Sequence, residues 1–282
     1  MAVSLVTKFL PYVDEQFSTE SKKELLTNKD FDWTGAHAVK AYKIGTGKMN
    51  DYGRNGAETG NWSRYGKVED ISATTEEFTL KNDRSFTFAI DKLDADETGQ
   101  TLAAATALSR QLREVVIPEV DKYTYGVMCE GAGTKPAAID LTSDNIYLEI
   151  MKANNALDNA EVPETGRQIV VTPDTYLLMK QCKDIVMETN IGNELRFNGV
   201  VSNLDGANVI KVPAARLPEG FGFMVAHPCA TVAPTKLEDY NTHVNPPGIS
   251  GQLVEGRIAY DAFVLENKAK AIYYQAQTTG KK

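Results

Sequence analysis

The sequence predicts an α+β protein with an extended β ribbon near its front. Three observations carry this expectation. Residues 36–91 hold runs that alternate apolar and polar side chains, split by a glycine-rich stretch. Residues 94–117 repeat apolar side chains at helical spacing. From 167 to 275, a strand, a capped helix and many short β-like runs follow one another.

The elements follow in chain order. Residues 1–35 read as an arm. A short amphipathic helix is expected at 12–26, with Val13, Phe17 and Leu25 on one side and Asn28 and Asp30 as its stop. GAHAVKAYKIG, 35–45, suits a strand through Ala36, Ala38, Tyr42 and Ile44. The stretch 45–66 then holds six glycines, with Trp62 and Tyr65 near its end. It reads as a long flexible tip. Two β-like runs, 67–80 and 84–91, follow, with Asn82-Asp83 as turn chemistry between them. Residues 36–91 thus read as one long hairpin or ribbon.

The strongest helix begins near Asp94, Asp96, Glu97 and Thr98, where acidic and capping residues suit the helix dipole. Leu102, Ala105, Leu108, Leu112, Val115 and Val116 fall within roughly 140° of arc at helical pitch. Pro118 interrupts the run. Inside a helix, proline removes a donor and clashes with the carbonyl four residues back, here that of Glu114, at about 3 kcal/mol. Ile117, the pre-proline residue, is biased away from helical angles. Three readings stand: a helix ending near Val116 with Pro118 at the first position of a new one, a kinked continuation, and a kink that acts as a hinge. Because 119–128 remain helix-compatible, the kinked continuation at Ile117 and Pro118 is favoured.

A second helix is expected at about 142–159, capped by Thr142, with Ile146, Ile150, Ala153 and Leu157 on one face. RQIVVTPDTYLLMKQC, 167–182, reads as strand, Thr172 as N-cap, Pro173 at the first helical position, then helix. GRIAYDAFVLENKAKAIYYQ, 256–275, reads as two strands joined near Glu266-Asn267.

Charge narrows the function classes. The chain has 30 basic and 38 acidic residues, net −8, which argues against a dedicated nucleic-acid binder. It leaves room for a protein that encloses nucleic acid without gripping it. No run of 18 apolar residues exists, so no membrane span is expected. The start, MAVSLVTKFLPYVDEQF, lacks a basic region and a cleavage site, and reads as mature protein. Cys129, Cys182 and Cys229 are too few and too far apart for a disulfide framework.

Chemical motifs fail one by one. IGTGKM, 44–49, places Lys48 after two glycines, but lacks the first glycine of a phosphate loop and has Met49 at the magnesium position. DADETG, 94–99, begins like a calcium loop, yet its twelfth position is Ala105 where a bidentate Glu is needed. His227 and Cys229 form a close pair without a second pair to complete a zinc site. No catalytic constellation, metal site or cofactor is expected, and the protein reads as a non-enzyme. What remains is architectural. Two-stranded ribbons are marginal alone in water. An arm and a ribbon of this length point to an oligomer in which copies lie on one another.

In this order of elements the chain resembles the major capsid proteins of tailed bacteriophages of the Hong Kong 97 type. DRSFTFAIDKLDADET (83–98), VVIPEVDKYTYGVM (115–128), GRQIVVTPDTYLLMKQ (166–181) and the closing block 256–275 carry the resemblance. It implies an HK97-like fold: an N-terminal arm at 1–35, an E-loop ribbon at 36–96, and a P domain with the spine helix at 97–172. An inserted A domain at 173–255 and return strands at 256–282 complete it.

The implied function is structural. Copies would assemble into hexamers and pentamers of an icosahedral head enclosing double-stranded DNA, with only weak contact to it. The implied partners are the chain itself and a portal protein; because the sequence begins almost at the arm, a separate scaffolding protein, or none, is expected. The implied location is the virion, assembled in the host cytoplasm. At the E-loop tip, Lys48, Trp62 and Tyr65 are the candidate intersubunit contacts, because aromatics are enriched in interface hot spots. Some relatives crosslink an E-loop lysine to a neighbour; no motif assigns Lys43, Lys48 or Lys67 that role, and no crosslink is expected. The nearest rival is an encapsulin, a nanocompartment shell of the same fold. A tail-tube or decoration protein fits less well with a long helix.

Overall fold

The computed structural model describes residues 21–28, 38–56, 62–67, 70–71, 73–97, 104–182 and 200–278. The expected helix face of Val13 and Phe17 lies outside these residues, as do His37, Thr98 and Leu102. The chain divides into two units, Trp33–Leu80 and the pair Met1–Asp32 with Lys81–Lys282.

The smaller unit is a ribbon. Strand β1 (Ala38–Ile44) pairs antiparallel with β2 (Ala73–Thr79), from Ala38 opposite Thr79 to Ile44 opposite Ala73. Lys43 and Glu76 form a diagonal same-face ion pair at 3.2 Å.

The larger unit corrects the expected ribbon. Strand β3 (Asn82–Asp91) does not fold back on β2 but joins a three-stranded antiparallel sheet in the order β3-β10-β9. Its partners are β10 (Gly251–Tyr260) and, beyond it, β9 (Thr235–Val244). Asn82 and Asp83, expected in a turn, are the first strand residues and lie opposite Tyr260 and Ala259. Alternation explains the placement. Ile90, Val254, Ile258 and Tyr260 are buried, while Asp83, Ser85, Thr87, Glu255 and Arg257 stay exposed. Phe86 and Phe88 needed an inner face, and only a pairing distant in sequence supplied one.

The helical stretch opens with α1 (Lys92–Glu97), started by Asp91, whose Oδ1 accepts from Leu93 N at 2.8 Å. It continues as α2 (Ala104–Gln111), a π turn (Leu112–Val116) and α3 (Ile117–Gly131). Helix α4 (Ile146–Asn159) buries Ile146, Ile150, Ala153 and Leu157 as expected. Its cap differs: Asn145 occupies the cap position, and Thr142 instead donates its N–H to Asn145 Oδ1 at 2.8 Å.

Strand β4 (Gln168–Val171) and helix α5 (Pro173–Gln181) match the sequence reading, with Thr172 Oγ1 accepting from Thr175 N at 3.1 Å. Strand β4 is central in a five-stranded sheet. The other strands are β5 (Val200–Leu204), β6 (Ala207–Lys211), β7 (Phe221–Ala226) and β12 (Ile272–Ala276), in the order β12-β7-β4-β6-β5. Both faces are covered. Val170, Ile210, Met224 and Ile272 pack with Tyr125 and Met128 of α3. Ile169, Val209, Phe223 and Val225 pack with Ile150, Leu157 and Met179 of α4 and α5. Hence β4 and β7 read as continuous apolar runs. Two short strands, β8 (Thr231–Val232) and β11 (Phe263–Val264), pair with each other. The closing block is therefore not a hairpin. Its first strand, β10, and its last, β12, belong to different sheets, separated by β11 and a 3₁₀ turn at Glu266–Ala271.

Candidate assembly surface

The ribbon tip is built by two limbs, 45–56 and 62–67. Gly53 N donates to Arg64 O at 2.9 Å. Asn50 Nδ2 donates to Tyr65 O and Lys67 O, each at 3.4 Å. The Tyr52 and Tyr65 rings meet edge-on with centroids 5.0 Å apart. Two glycines permit the closure. A Cβ on Gly53 would lie 2.1 Å from Gly56 O, and Gly66 has φ +88° with Asn50 against its α-carbon. The glycines that predicted looseness thus also allow a cross-tied loop.

This loop presents apolar side chains to solvent. Met49, Trp62 and Tyr65 are 98%, 88% and 78% exposed. Of the eleven large apolar side chains standing exposed among the described residues, six belong to the smaller unit. Such a concentration makes the tip a candidate interaction surface. Lys48 is exposed beside Met49, and the described tip carries Lys48, Arg54, Arg64 and Lys67 against Asp51 alone. Lys48, Trp62 and Tyr65 therefore share one loop, and Tyr52 is a further ring that sequence reasoning missed. Its signal was present as an aromatic between polar residues in MNDYGR.

The run from Ala104 to Gly131 stays helical across Pro118. Val116 and Ile117 have φ/ψ of −67°/−50° and −60°/−49°. Ile117 therefore departs from the extended bias of a pre-proline residue. The π turn supplies the reason. Ile117 N–H donates to Leu112 O, five residues back, so the turn before the proline is one residue wider than an α turn. That widening relieves the crowding the ring would impose on the preceding turn. A cavity of about 200 Å³ lies beside it, lined by Gln111, Val115, Val116 and Glu119 with Phe86 and Ile258 of the sheet. Glu119 Oε1 accepts from Arg84 Nε at 2.8 Å and from Tyr260 Oη at 3.3 Å, tying the spine to β3 and β10.

Residues 21–28 are locked into the body. Leu26 is fully buried among Tyr125, Met128, Val212 and Leu217. Asp121 of α3 is 1% exposed, accepts from Ser21 Oγ at 2.5 Å and pairs with Arg216 at 2.8 Å. The buried Tyr125 hydroxyl has no partner among the described groups; burial, then the Asp121 charge, makes it harder to ionise. Nothing in the local sequence marks Asp121, or Arg216 within PAARLPEG, as buried.

The candidate chemical motifs resolve into structure. Residues 45–49 are exposed loop after β1, and Asp94 and Asp96 sit in α1. No group of three or more His, Cys, Asp or Glu that could hold a metal occurs among the described residues. His227 Nδ1 accepts from Cys229 N at 3.2 Å, which fixes the other ring nitrogen as donor to Thr165 O. The pair starts a 3₁₀ turn at Pro228–Ala230. Burial pushes the Cys129 thiol up to about 12 and raises Cys229 less. Neither is an activated nucleophile.

No protein-family model and no curated protein matches the sequence. Solved structures do match its fold. A structure from Mycobacterium phage Che8 aligns over 97% of this chain and 96% of its own, at TM-score 0.75 and 17% identity. The capsid of cyanophage P-SCSP1u aligns over 98% and 93%, at TM-score 0.75 and 12% identity. The chain has the fold of phage capsid proteins. This is the HK97-like α+β fold that the resemblance implied. The mature capsid of bacteriophage PhiM1 aligns with this chain at TM-score 0.69 and 13% identity, over 98% and 93% of the two chains. A virus-like particle from Pyrococcus furiosus aligns less closely, at TM-score 0.51, 11% identity and 85% and 86% coverage.

Proposed function

We propose that this chain is the major capsid protein of a tailed bacteriophage. Copies assemble into hexamers and pentamers of an icosahedral head around double-stranded DNA. One observation carries the reading: two phage capsid structures align over nearly the whole chain. The ribbon supports it independently, because a two-stranded ribbon with an apolar tip gains stability only by lying on something else.

In this reading the E-loop is the ribbon of the smaller unit, Trp33–Leu80, with β3 and α1 belonging to the body, and its tip lies on a neighbouring copy through Trp62, Tyr65 and Lys48. The body divides into P domain at 97–172, A domain at 173–255 and return strands at 256–282. Ile117 and Pro118 mark a bend in the spine helix that serves as a hinge when the shell expands. Portal and scaffolding proteins are the outside partners, and assembly occurs in the host cytoplasm before the product enters the virion. The protein's role is structural rather than catalytic.

The second reading is an encapsulin-type compartment shell. The similarity to a virus-like particle favours it, at a lower TM-score than the phage structures. Electron microscopy of the purified protein tests the proposal. Closed icosahedral shells are expected; tubes or isolated monomers at all concentrations would overturn it. Portal and terminase genes beside this one separate a phage head from a cargo compartment.

A further inference from the structure

Besides the ribbon tip, the described residues of this acidic chain, net −8, hold a second group of cations that runs against its charge. Tyr176 lies on α5, and Lys180 follows it by one helical turn. The Lys180 ammonium sits 5.6 Å from the Tyr176 ring centroid. The Lys211 ammonium sits 5.5 Å from the same centroid. Lys211 is the last residue of β6, opposite Val171 of β4. Because β4 runs directly into α5, the packing of that helix brings the two lysines to one ring. Lys22, from the end of the arm, donates from Nζ to Lys211 O at 3.0 Å. Three segments remote in sequence thus meet here: two ammonium groups share one ring, and a third lysine is bonded to the backbone of the strand that carries Lys211.

These charges repel. Burial lowers the proton affinity of Lys22, and the nearby charges of Lys211 and Arg216 lower it further. Arg216 is committed to Asp121. The Tyr176 ring, packed on the core of the five-stranded sheet, restrains both flanking lysines by cation–π attraction. Part of the ordering cost of binding an anion is therefore already met. The charges flank a ring instead of focusing on one point, which suits a line of phosphates. The ring is half-buried and carries both ammonium groups, which leaves little of its face for a flipped or single-stranded base to stack on. That favours duplex over single strands.

We propose that Lys180 and Lys211, held on the Tyr176 ring, form a contact site for the phosphodiester backbone of enclosed duplex DNA. This rests on the shell reading above, and the contact is independent of sequence because it touches phosphate alone.

Two measurements test it. In the first, the unassembled subunit is titrated with a fluorescent 20-base-pair duplex, roughly the length of two helical turns, over a salt series. Lys180→Gln with Lys211→Gln should reduce the slope of log affinity against log salt by about 2, near 0.9 per lost contact. A control pair, Lys268→Gln with Lys270→Gln, removes the same charge from an exposed turn and should leave the slope unchanged. Equal slopes for both pairs overturn the proposal. In the second, lysine acylation is mapped in DNA-filled and emptied particles. Lys180 and Lys211 should be protected only in filled particles; equal labelling in both overturns the proposal while leaving the shell reading intact. A protein that forms no particles fails the shell reading, and the titration still decides the site.

Discussion

Asp121 shows how much one spine residue holds. It accepts from Ser21, pairs with Arg216 and lies under the Tyr125 hydroxyl, joining arm, spine helix and the 3₁₀ turn at 214–216. Removing one partner of a buried pair leaves the other charge uncompensated. Asp121→Ala should therefore lower the unfolding free energy of the unassembled subunit by about 3–5 kcal/mol in a urea titration. Asp121→Leu with Arg216→Met should cost clearly less than the two single changes added together. Additive losses would show that the pair is not coupled. The exposed Asp83–Arg257 pair acts differently. The Arg257 hydrogen bond holds the Asp83 carboxyl below its ordinary value. A depressed carboxylate contributes stability above its unfolded value and loses it as pH falls through the folded one. Arg257→Met should thus be slightly less stable than the parent at neutral pH, with the gap closing in acid. Thermal scans from pH 7 to about pH 2, spanning the carboxylate range, measure this.

At the scale of elements, the π turn and the proline make one device. A π turn equals a single-residue insertion into an α-helix, and here it sits just before the residue that an α-helix tolerates least. Deleting Arg113 should collapse the turn to α geometry without rotating the buried faces on either side. Pro118 then enters a regular helix, at a cost of about 3 kcal/mol. Combining the deletion with Pro118→Ala should recover most of that loss, as read by urea midpoint. If the deletion alone is harmless, the π turn is not accommodating the proline. The hinge role has its own test. Expansion of Pro118→Ala particles at the parental rate would reduce the feature to static shape.

At the scale of the whole molecule, the ribbon tip should matter for assembly and little for the folding of the body. Deleting 48–63 removes Met49, Tyr52 and Trp62 while leaving both strands of the ribbon and every strand of the larger unit. The subunit body should retain its thermal midpoint, and shell yield should fall at least tenfold, the change expected from about 1.4 kcal/mol lost per contact. Unchanged yield would remove the tip from the assembly surface. The cationic tip on an acidic chain also predicts weaker assembly as salt rises.

Much of this architecture was legible in local sequence, and the physical reason is period. The α4 face of Ile146, Ile150, Ala153 and Leu157 repeats at helical spacing, and Thr172-Pro173 starts α5 through groups adjacent in the chain. The aromatic tip could be read because Trp62 and Tyr65 stand in a stretch with no apolar period to bury them. Order along the chain was enough to expect a capsid-like fold. Pairing was decided elsewhere. Asn82-Asp83 has turn chemistry, yet β3 gained more by burying Phe86, Phe88 and Ile90 on a sheet whose other strands lie some 150 residues away. Asp121 and Arg216 are ordinary helix and loop residues until α3 and the arm close over them. Lys22, Lys180 and Lys211 likewise meet only when the five-stranded sheet forms. Sequence determined the elements, their order and the exposed tip, because those depend on neighbours a few residues apart. Tertiary structure alone decided which strands pair and which charges meet, because burial is shared among residues that the chain keeps far apart.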